Sequence, residues 1–183
     1  MNHLIGLVGK KQTGKDTIYN IIFELWNHRK LNLRPTRLSF ADELKNDIAT
    51  AFGTTVMFIN DNKSDATMRK LLQCYGVCRR KENPNYWIDK VSQKMASYDR
   101  IESKSSSRLF VVTDVRFLNE ANWILQQGGK LIKVQRPVQG ELDFHVSETE
   151  LDKIPCDHVI NNDGNEKQLE LPVGYVMEQM KFL

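Results

Sequence analysis

The feature that most constrains this chain is a glycine-bounded loop between an apolar segment and an amphipathic one. Residues 9–15 read GKKQTGK and fit the pattern G-x-x-x-x-G-K. The preceding run, Leu4 to Val8, is typical of a short buried strand. Because the backbone N–H groups of such a loop and the N-terminus of the next helix attract phosphate oxygens, the sequence predicts a phosphate-binding loop. The apolar face of the predicted helix comprises Ile18, Ile21, Ile22, Leu25 and Trp26.

The residues at the end of this loop include candidate ligands for a metal ion. Lys15 is placed to reach the β- and γ-phosphates of a nucleotide. Asp16 stands where a serine or threonine usually follows the lysine, and Thr17 comes next. Either the Asp16 carboxylate, through water, or the Thr17 hydroxyl could hold Mg²⁺. Alternatively, Asp16 only favours the first turn of the helix electrostatically.

The rest of the chain alternates short apolar runs with helical patterns. Further strands are predicted at 36–40, 109–112, 130–134 and 158–160. Helices are predicted from a cap at Asp42, from Ser64 or Asp65, after Pro84, from Asn119, and in the tail. The polar stretch 99–108 is expected to be a surface loop. This alternation predicts a single α/β domain over 1–183, with a mostly parallel five-stranded sheet and helices on both faces.

Composition limits the class of partner. The chain has 183 residues, with Lys+Arg 26 against Asp+Glu 23 and a net charge of +3. This balance favours small anionic ligands over nucleic acid or a membrane surface. No apolar run approaches the roughly 20 residues of a membrane span, and the start of the chain lacks a signal-peptide pattern. We therefore expect a cytoplasmic protein that acts on small molecules.

Two groups of residues have a structural interpretation as well as a functional one. Cys74, Cys78 and Cys156 lack the dense ligand spacing of a zinc site, so we expect core or inert thiols. Their odd number fits a reducing compartment. The last apolar helical face is either core or a homodimer surface. It comprises Val173, Val176, Met177 and Met180.

A second group of residues suits a phosphorylated acceptor. Arg69 and Gln73 are four residues apart, so they share a helix face. The basic run Arg79-Arg80-Lys81 and Trp87 follow. Guanidinium groups bind phosphate bidentately, and an aromatic ring stacks on a base. The sequence therefore predicts an acceptor site here, although most arginines lie on solvated surfaces.

The strongest strand ends at Asp114, with Arg116 and Glu120 soon after. Asp114 could hold a magnesium-bound water or orient an acceptor-site group, while Arg116 could reach the acceptor or the transferred phosphoryl group. The alternative is a structural Asp114–Arg116 ion pair. Glu120 either orients Arg116 or is solvated. Arg136 is either an arginine that closes on the phosphates or a surface residue.

Several segments together resemble a known family, the deoxynucleoside monophosphate kinases of bacteriophages. They are GKKQTGKDT (9–17), SFADELK (39–45), RKLLQCYG (69–76) with RRKENPNYW (79–87), VVTDVRFLNEA (111–121) and VQRP…HVSE…NNDG (134–164). The resemblance implies a P-loop kinase three-layer sandwich, with ATP and Mg²⁺ as cofactors. It implies transfer of the γ-phosphoryl group of ATP to a 2′-deoxynucleoside 5′-monophosphate.

The resemblance also implies roles for individual residues. ATP would be held by Gly9, Lys11, Thr13, Gly14, Lys15, Asp16, Thr17, Asn162, Asp163 and Gly164. The acceptor would be bound by Phe40, Lys45, Arg69, Gln73, Gly76, Arg80, Trp87, Arg116 and Glu120. Residues 135–148 would form a lid, in which Ser147 and Glu148 suit a helix start.

Two alternatives remain open from the sequence. One is a P-loop kinase for another phosphorylated acceptor, such as phosphomevalonate or dephospho-coenzyme A. The other is a nucleic-acid-binding adaptor that presents a basic surface. That surface would comprise Arg29, Lys30, Arg34, Arg37 and Arg79 to Lys81.

Overall fold

The computed structural model describes residues 3–29, 33–101, 108–136 and 151–182. The chain divides into two compact units. The sheet unit comprises residues 1–38 and 98–183, and the helical unit comprises Ser39–Ser97. The helical unit has nearly the same bounds as residues 40–98, the region that contains most of the acceptor-site residues implied by the resemblance, and its role in acceptor binding stays a prediction.

The order of elements follows the predicted alternation. Along the chain they are β1 (His3–Val8), α1 (Lys15–Arg29), β2 (Arg34–Leu38), α2 (Phe40–Phe52), α3 (Val56–Asp61), α4 (Ala66–Glu82), α5 (Tyr86–Ile101), β3 (Arg108–Val115), α6 (Leu118–Gln126), β4 (Lys130–Gln135), a 3₁₀ turn (Leu151–Lys153), β5 (His158–Asn161) and α7 (Glu166–Gln179). None of the described helices has the length and apolarity that crossing a membrane requires.

The sheet unit is built on five parallel strands in the order β2-β3-β1-β4-β5. The predicted α/β class and five-stranded parallel sheet are confirmed. The carboxyl ends of parallel strands share one edge of a sheet, where α/β proteins bind ligands. The loop after β1 and the residues after β3, β4 and β5 therefore all belong to that edge.

One face of the sheet packs against α1 and α7. Ile5 and Leu7 of β1 lie in a buried cluster with Ile18 of α1 and Val173 of α7. Val176 and Met177 belong to the same cluster, and Met180 packs against it. The apolar face of the last helix is therefore core, which decides between the two interpretations left open for it. This packing anchors the helix that begins at the phosphate-loop lysine.

Strand β3 contains one residue more than its neighbour. Gly6 of β1 pairs with Val112, whereas Val8 pairs with Val115, so two steps on β1 face three on β3. Such a bulge locally redirects side chains. It lies at Thr113 and Asp114, so it includes one predicted functional residue, Asp114, and precedes another, Arg116.

Several predicted boundaries differ from the structure. β2 ends at Leu38 because Ser39 caps α2, its Oγ accepting from the backbone N–H of Asp42 at 3.2 Å. The prediction of Asp42 as the cap is therefore wrong, whereas Asp65 caps α4, one of the two residues proposed. The six-residue helix α3 is too short to show a periodic pattern and was not predicted.

Both boundaries of the predicted surface loop at 99–108 are wrong. Helix α5 continues to Ile101, and Arg108 begins β3. Arg108 is buried, and its Nη1 donates to Thr36 Oγ1 at 2.6 Å while its guanidinium lies over the Tyr98 ring. A hydroxyl and an aromatic face thus accommodate an arginine that the sequence suggested was in solvent.

Candidate active site

The loop between β1 and α1 has the close backbone approaches that require glycine. Gly14 has φ of +95°, and a Cβ there would lie 2.3 Å from Asn162 Nδ2. A Cβ on Gly9 would lie 2.6 Å from the carbonyl oxygen of Val134. Side chains at these positions would collide with the ends of β4 and β5, which explains both glycines of the motif.

The side chain of Lys15, the first residue of α1, lies against this loop rather than in solvent. Its side chain is buried, and Nζ donates to the carbonyl oxygens of Gly9 at 2.7 Å and Lys10 at 2.5 Å. Nζ also lies 3.4 Å from Thr13 Oγ1, which itself donates to the Lys10 carbonyl. An ammonium group held beside a helix N-terminus suits the phosphates of a nucleotide. The loop therefore fits the nucleotide cofactor that the motif implies.

Asp16 and Thr17 offer the oxygen donors that Mg²⁺ prefers. The Asp16 carboxylate is exposed, and its Oδ1 lies 3.5 Å from Arg37 Nη2 on β2. Thr17 is half-buried one residue further along α1. The donor set fits a magnesium ion, with a guanidinium as its neighbour. Sequence reasoning missed the placement of Arg37 and considered it only as part of a basic surface.

The residues after β3 adjoin the strand of the phosphate loop, because β3 pairs with β1. Asp114 and Arg116 are both half-buried. Glu120 is buried, and its Oε2 accepts from the backbone N–H groups of Arg116 at 2.9 Å and Phe117 at 3.1 Å. Its carboxylate thus anchors the start of α6. The expectation that Glu120 is solvated is wrong, because its carboxylate is buried and accepts two backbone hydrogen bonds, whereas its contact with substrate stays a prediction.

The edge formed by β4 and β5 borders the loop. Arg136 follows β4 and is exposed. The remainder of the predicted lid, with Ser147 and Glu148, lies outside the described residues. Asn162 follows β5 and is buried, and its Nδ2 donates to the carbonyl oxygen of Thr13 at 2.9 Å. The remaining predicted ATP-site residues differ in exposure: Lys11 and Asp163 are exposed, and Gly164 is half-buried.

In the helical unit, some of the predicted acceptor residues are accessible. Arg69 and Gln73 are exposed on α4. Lys45 lies half-buried on α2, with Nζ 3.7 Å from Asp42 Oδ1. Arg80 donates from Nη1 to the carbonyl oxygen of Gly76 at 3.4 Å.

Two aromatic residues predicted to contact the acceptor are buried instead. Trp87 is 2% exposed, and its indole N–H donates to the Gly76 carbonyl at 3.3 Å. The Tyr86 ring meets it edge-on, with centroids 4.8 Å apart. Phe40 is 3% exposed at the start of α2. Both rings therefore pack in the interior, and the prediction that Trp87 stacks on a base is corrected.

Arg79 is engaged in a polar cluster, which removes it from the predicted phosphate-binding run. The centre of the cluster is Asp47, whose carboxylate accepts from Tyr75 Oη at 3.0 Å, Tyr86 Oη at 2.8 Å and Lys90 Nζ at 2.9 Å. Arg79 donates from Nη2 to Tyr75 Oη at 2.9 Å. Burial would raise the pKa of Asp47, but the three hydrogen bonds outweigh burial and lower it.

The thiols are not a uniform set. Cys74 and Cys78 are exposed on α4, so of the two alternatives, core or inert thiols, the core position is wrong for them. Cys156 is half-buried, and burial raises the pKa of its thiol to about 11.

The sequence Asn62-Lys63-Ser64-Asp65 matches the Asn-Lys-x-Asp pattern with which GTPases read guanine, and sequence reasoning overlooked it. Here Asp65 Oδ1 accepts from the backbone N–H groups of Thr67 and Met68 at the start of α4. Asn62 Nδ2 donates to the carbonyl of Phe58. The two side chains thus form local helix-end contacts, which account for both residues without a nucleotide.

Comparisons with known proteins agree with this geometry. The model of the family described as deoxynucleotide monophosphate kinase matches residues 36–172. A relative in Acanthamoeba polyphaga mimivirus, whose name describes the same kinase, is 30% identical over 182 residues, covering 82% of this chain and 83% of the relative. The deoxynucleotide monophosphate kinase of Enterobacteria phage T4 is 29% identical over 134 residues. That match covers 71% of this chain but 54% of the phage protein.

Solved structures support the fold alone. A protein from Thermus thermophilus aligns with a TM-score of 0.54 at 15% identity, covering 97% of each chain. A sugar kinase from Janibacter aligns with a TM-score of 0.50 at 12% identity, covering 100% of this chain and 96% of that one. The family model, the viral relative and the phosphate loop agree, and the chain belongs to the deoxynucleotide monophosphate kinase family.

Proposed function

We propose that this chain transfers the γ-phosphoryl group of ATP to the 5′-phosphate of a 2′-deoxynucleoside monophosphate. The observation that carries the proposal is the phosphate loop with its buried lysine, in a chain that matches this family over residues 36–172. The products are ADP and a deoxynucleoside diphosphate, a precursor for DNA synthesis. The mimivirus and phage T4 relatives support a role in viral nucleotide supply in the cytoplasm of a host cell.

On the donor side, the sheet unit supplies the charges that phosphoryl transfer requires. Lys15 neutralises the donor phosphates, and Asp16 or Thr17 would hold Mg²⁺. The ion would offset negative charge on the β- and γ-phosphate oxygens. Arg116 and Arg136 are cationic residues at the same sheet edge as the loop, which suits them to the transferred phosphoryl group. Asp114, at the bulge of β3, would orient a magnesium-bound water.

On the acceptor side, we assign binding to the polar residues of the helical unit. Arg69 and Gln73 are exposed on α4, where their side chains would bind the acceptor phosphate or base. Arg80 and Lys45 add positive charge. Trp87 would support this unit from its interior, because it is buried against Tyr86 and the Gly76 carbonyl, while Phe40 is buried at the start of α2.

The reaction asks for no general base. The second pKa of a phosphate monoester is about 6, so the attacking oxygen is already ionised near neutral pH. The task of the protein is to bring two anions together and to neutralise the charge that develops between them. The basic side chains assigned above are suited to that task.

The adaptor alternative is disfavoured by particular contacts. Two residues of its basic surface are engaged in ion pairs, Arg37 with Asp16 and Arg79 with Glu82. A kinase for another phosphorylated acceptor would use the same donor loop. The acceptor must therefore be identified by experiment.

The direct test is ADP release from ATP and Mg²⁺ with each deoxynucleoside monophosphate offered singly, beside the matching ribonucleotides. Turnover with at least one deoxynucleotide is expected. Activity only with phosphomevalonate or dephospho-coenzyme A would reject the proposed acceptor class.

Lys15→Ala provides the matched test of the donor loop. Losing this charge should lower kcat by a factor of about 100 or more. Lys10→Ala is the control, because Lys10 is exposed and the substitution keeps its backbone carbonyl, which accepts from Lys15 Nζ. Equal activities of the two variants would contradict the assigned role of the loop.

A further inference from the structure

Asn162 joins three segments at the carboxyl edge of the sheet. It follows β5 directly and is 4% exposed. Its backbone N–H donates to the carbonyl oxygen of Gln135, the last residue of β4, at 2.7 Å. Its side-chain Nδ2 donates to the carbonyl oxygen of Thr13 at 2.9 Å, across 149 positions of sequence. One buried residue thus connects the ends of β4 and β5 to the phosphate loop.

The amide of Asn162 also occupies the space beside Gly14. A Cβ on Gly14 would lie 2.3 Å from Nδ2, far inside contact distance. Gly14 therefore has two reasons to be glycine, its positive φ and the neighbouring amide. The two residues form one packed unit.

The hydrogen bond to Thr13 controls the direction of a loop N–H group. The peptide group between Thr13 and Gly14 is planar and trans, so its N–H points opposite to its C=O. By holding the Thr13 carbonyl, Asn162 directs the N–H of Gly14 away from itself. An N–H fixed before ligand binding avoids the cost of ordering it during binding.

We propose that Asn162 is a positioning residue of the donor site, which holds the Thr13–Gly14 peptide in the orientation that binds nucleotide phosphate. This role differs from the direct contact with ATP that the family resemblance implied. The inference rests on the proposed function insofar as the phosphate is that of ATP. It is nevertheless testable by binding alone.

The test compares Asn162→Asp and Asn162→Ala with Asn161→Ala. Asn161 is the matched control, because it is the adjacent asparagine but is exposed on β5. Asn162→Asp keeps the side-chain shape and replaces the donor with a carboxylate that repels both the Thr13 carbonyl and phosphate. The affinity for ATP is measured by calorimetry, with KM for ATP, KM for the acceptor, and melting temperature determined on the same preparations.

We expect Asn162→Ala to weaken ATP binding about tenfold, in proportion to one buried hydrogen bond. Asn162→Asp should weaken it further, while the acceptor KM stays within about twofold for both variants. Asn161→Ala should match the wild type. If Asn162→Asp is folded and binds ATP as tightly as the wild type, the inference is overturned. If the wild type binds ATP but phosphorylates no deoxynucleotide, the proposed function is wrong. The role of Asn162 is then decided by the ATP affinities of its variants alone.

A double-mutant cycle adds a readout that general destabilisation would not move. Gly14→Ala places a methyl group against the Asn162 amide, and this collision is absent when residue 162 is alanine. The loss of ATP affinity caused by Gly14→Ala should therefore be smaller in the Asn162→Ala background. Additive losses would contradict the packing on which the inference depends.

Discussion

Asp16 Oδ1 lies 3.5 Å from Arg37 Nη2, so the residue after the phosphate-loop lysine forms an ion pair with the second strand of the sheet. This pair places a cation beside a carboxylate that is also suited to hold Mg²⁺. The two cations would compete for the same oxygens.

Asp16→Asn tests which residue serves the metal. Removing the charge should raise the Mg²⁺ concentration for half-maximal activity several-fold, because a carboxylate holds Mg²⁺ better than an amide. Stability should change by less than about 1 kcal/mol, since the pair is exposed. A magnesium titration of activity is the measurement. If only Thr17→Val shifts the titration, the metal role belongs to Thr17.

Trp87 should behave as a core residue. Trp87→Ala is expected to destabilise the protein by about 3 to 5 kcal/mol through the cavity it leaves. Trp87→Phe keeps most of the packing but removes the donor to Gly76, and its acceptor KM should stay within about twofold of the wild type. Denaturant unfolding and steady-state kinetics measure the two effects. A large rise in acceptor KM with unchanged stability would restore the base-stacking role.

The Asp47 cluster should make the free energy of unfolding depend on pH in the acid range. The pKa of Asp47 is lowered in the folded protein, so its contribution is present above the unfolded value of about 3.9 and is lost as the pH falls through the folded value. Asp47→Asn should therefore destabilise by about 1 to 3 kcal/mol at pH 7, and the difference from the wild type should shrink near pH 3. Urea unfolding at both pH values measures this. Asp61→Asn, at an exposed aspartate of α3, is the control, and a pH-independent difference for Asp47→Asn would contradict the cluster's role.

The three thiols should separate by reactivity. A thiol reacts as the thiolate, and burial raises the pKa of Cys156 to about 11. At pH 8, a thiol reagent should modify the exposed Cys74 and Cys78 rapidly and Cys156 slowly. Cys156→Ser should remove only the slow phase. Loss of a fast phase in this variant would show that Cys156 is accessible and ionised.

The sequence predicts contiguous features well. The phosphate loop depends on residues within a nine-residue segment, and the parallel sheet follows from strands alternating with helices. The sequence predicted the cap of α2 at Asp42, whereas the structure has it at Ser39. Both residue types suit a helix start, and the choice between them depends on the backbone of Ser39, which is extended.

The residues misjudged from the sequence are those whose roles depend on distant neighbours. In the sequence, Glu120 resembles a solvated helix residue. In the structure, its carboxylate accepts from two backbone N–H groups. Asp16 lies in the first turn of α1 and Arg37 on β2, so nearly the whole helix separates them in sequence. A single sequence contains no signal for such pairs, because helical and strand periodicity describe only local geometry.

The additional residue in β3 makes the length of that strand as important as its composition. Removing one residue between Val112 and Val115 would give a regular ladder with β1. Val8 would still lie opposite Val115, because a bulge absorbs its additional residue without changing the pairing beyond it. The deletion would instead remove the local bend and the increased twist at Thr113 and Asp114. A redesign that idealised this sheet would therefore keep the pairing of Val115 but change the direction in which the backbone continues towards Arg116.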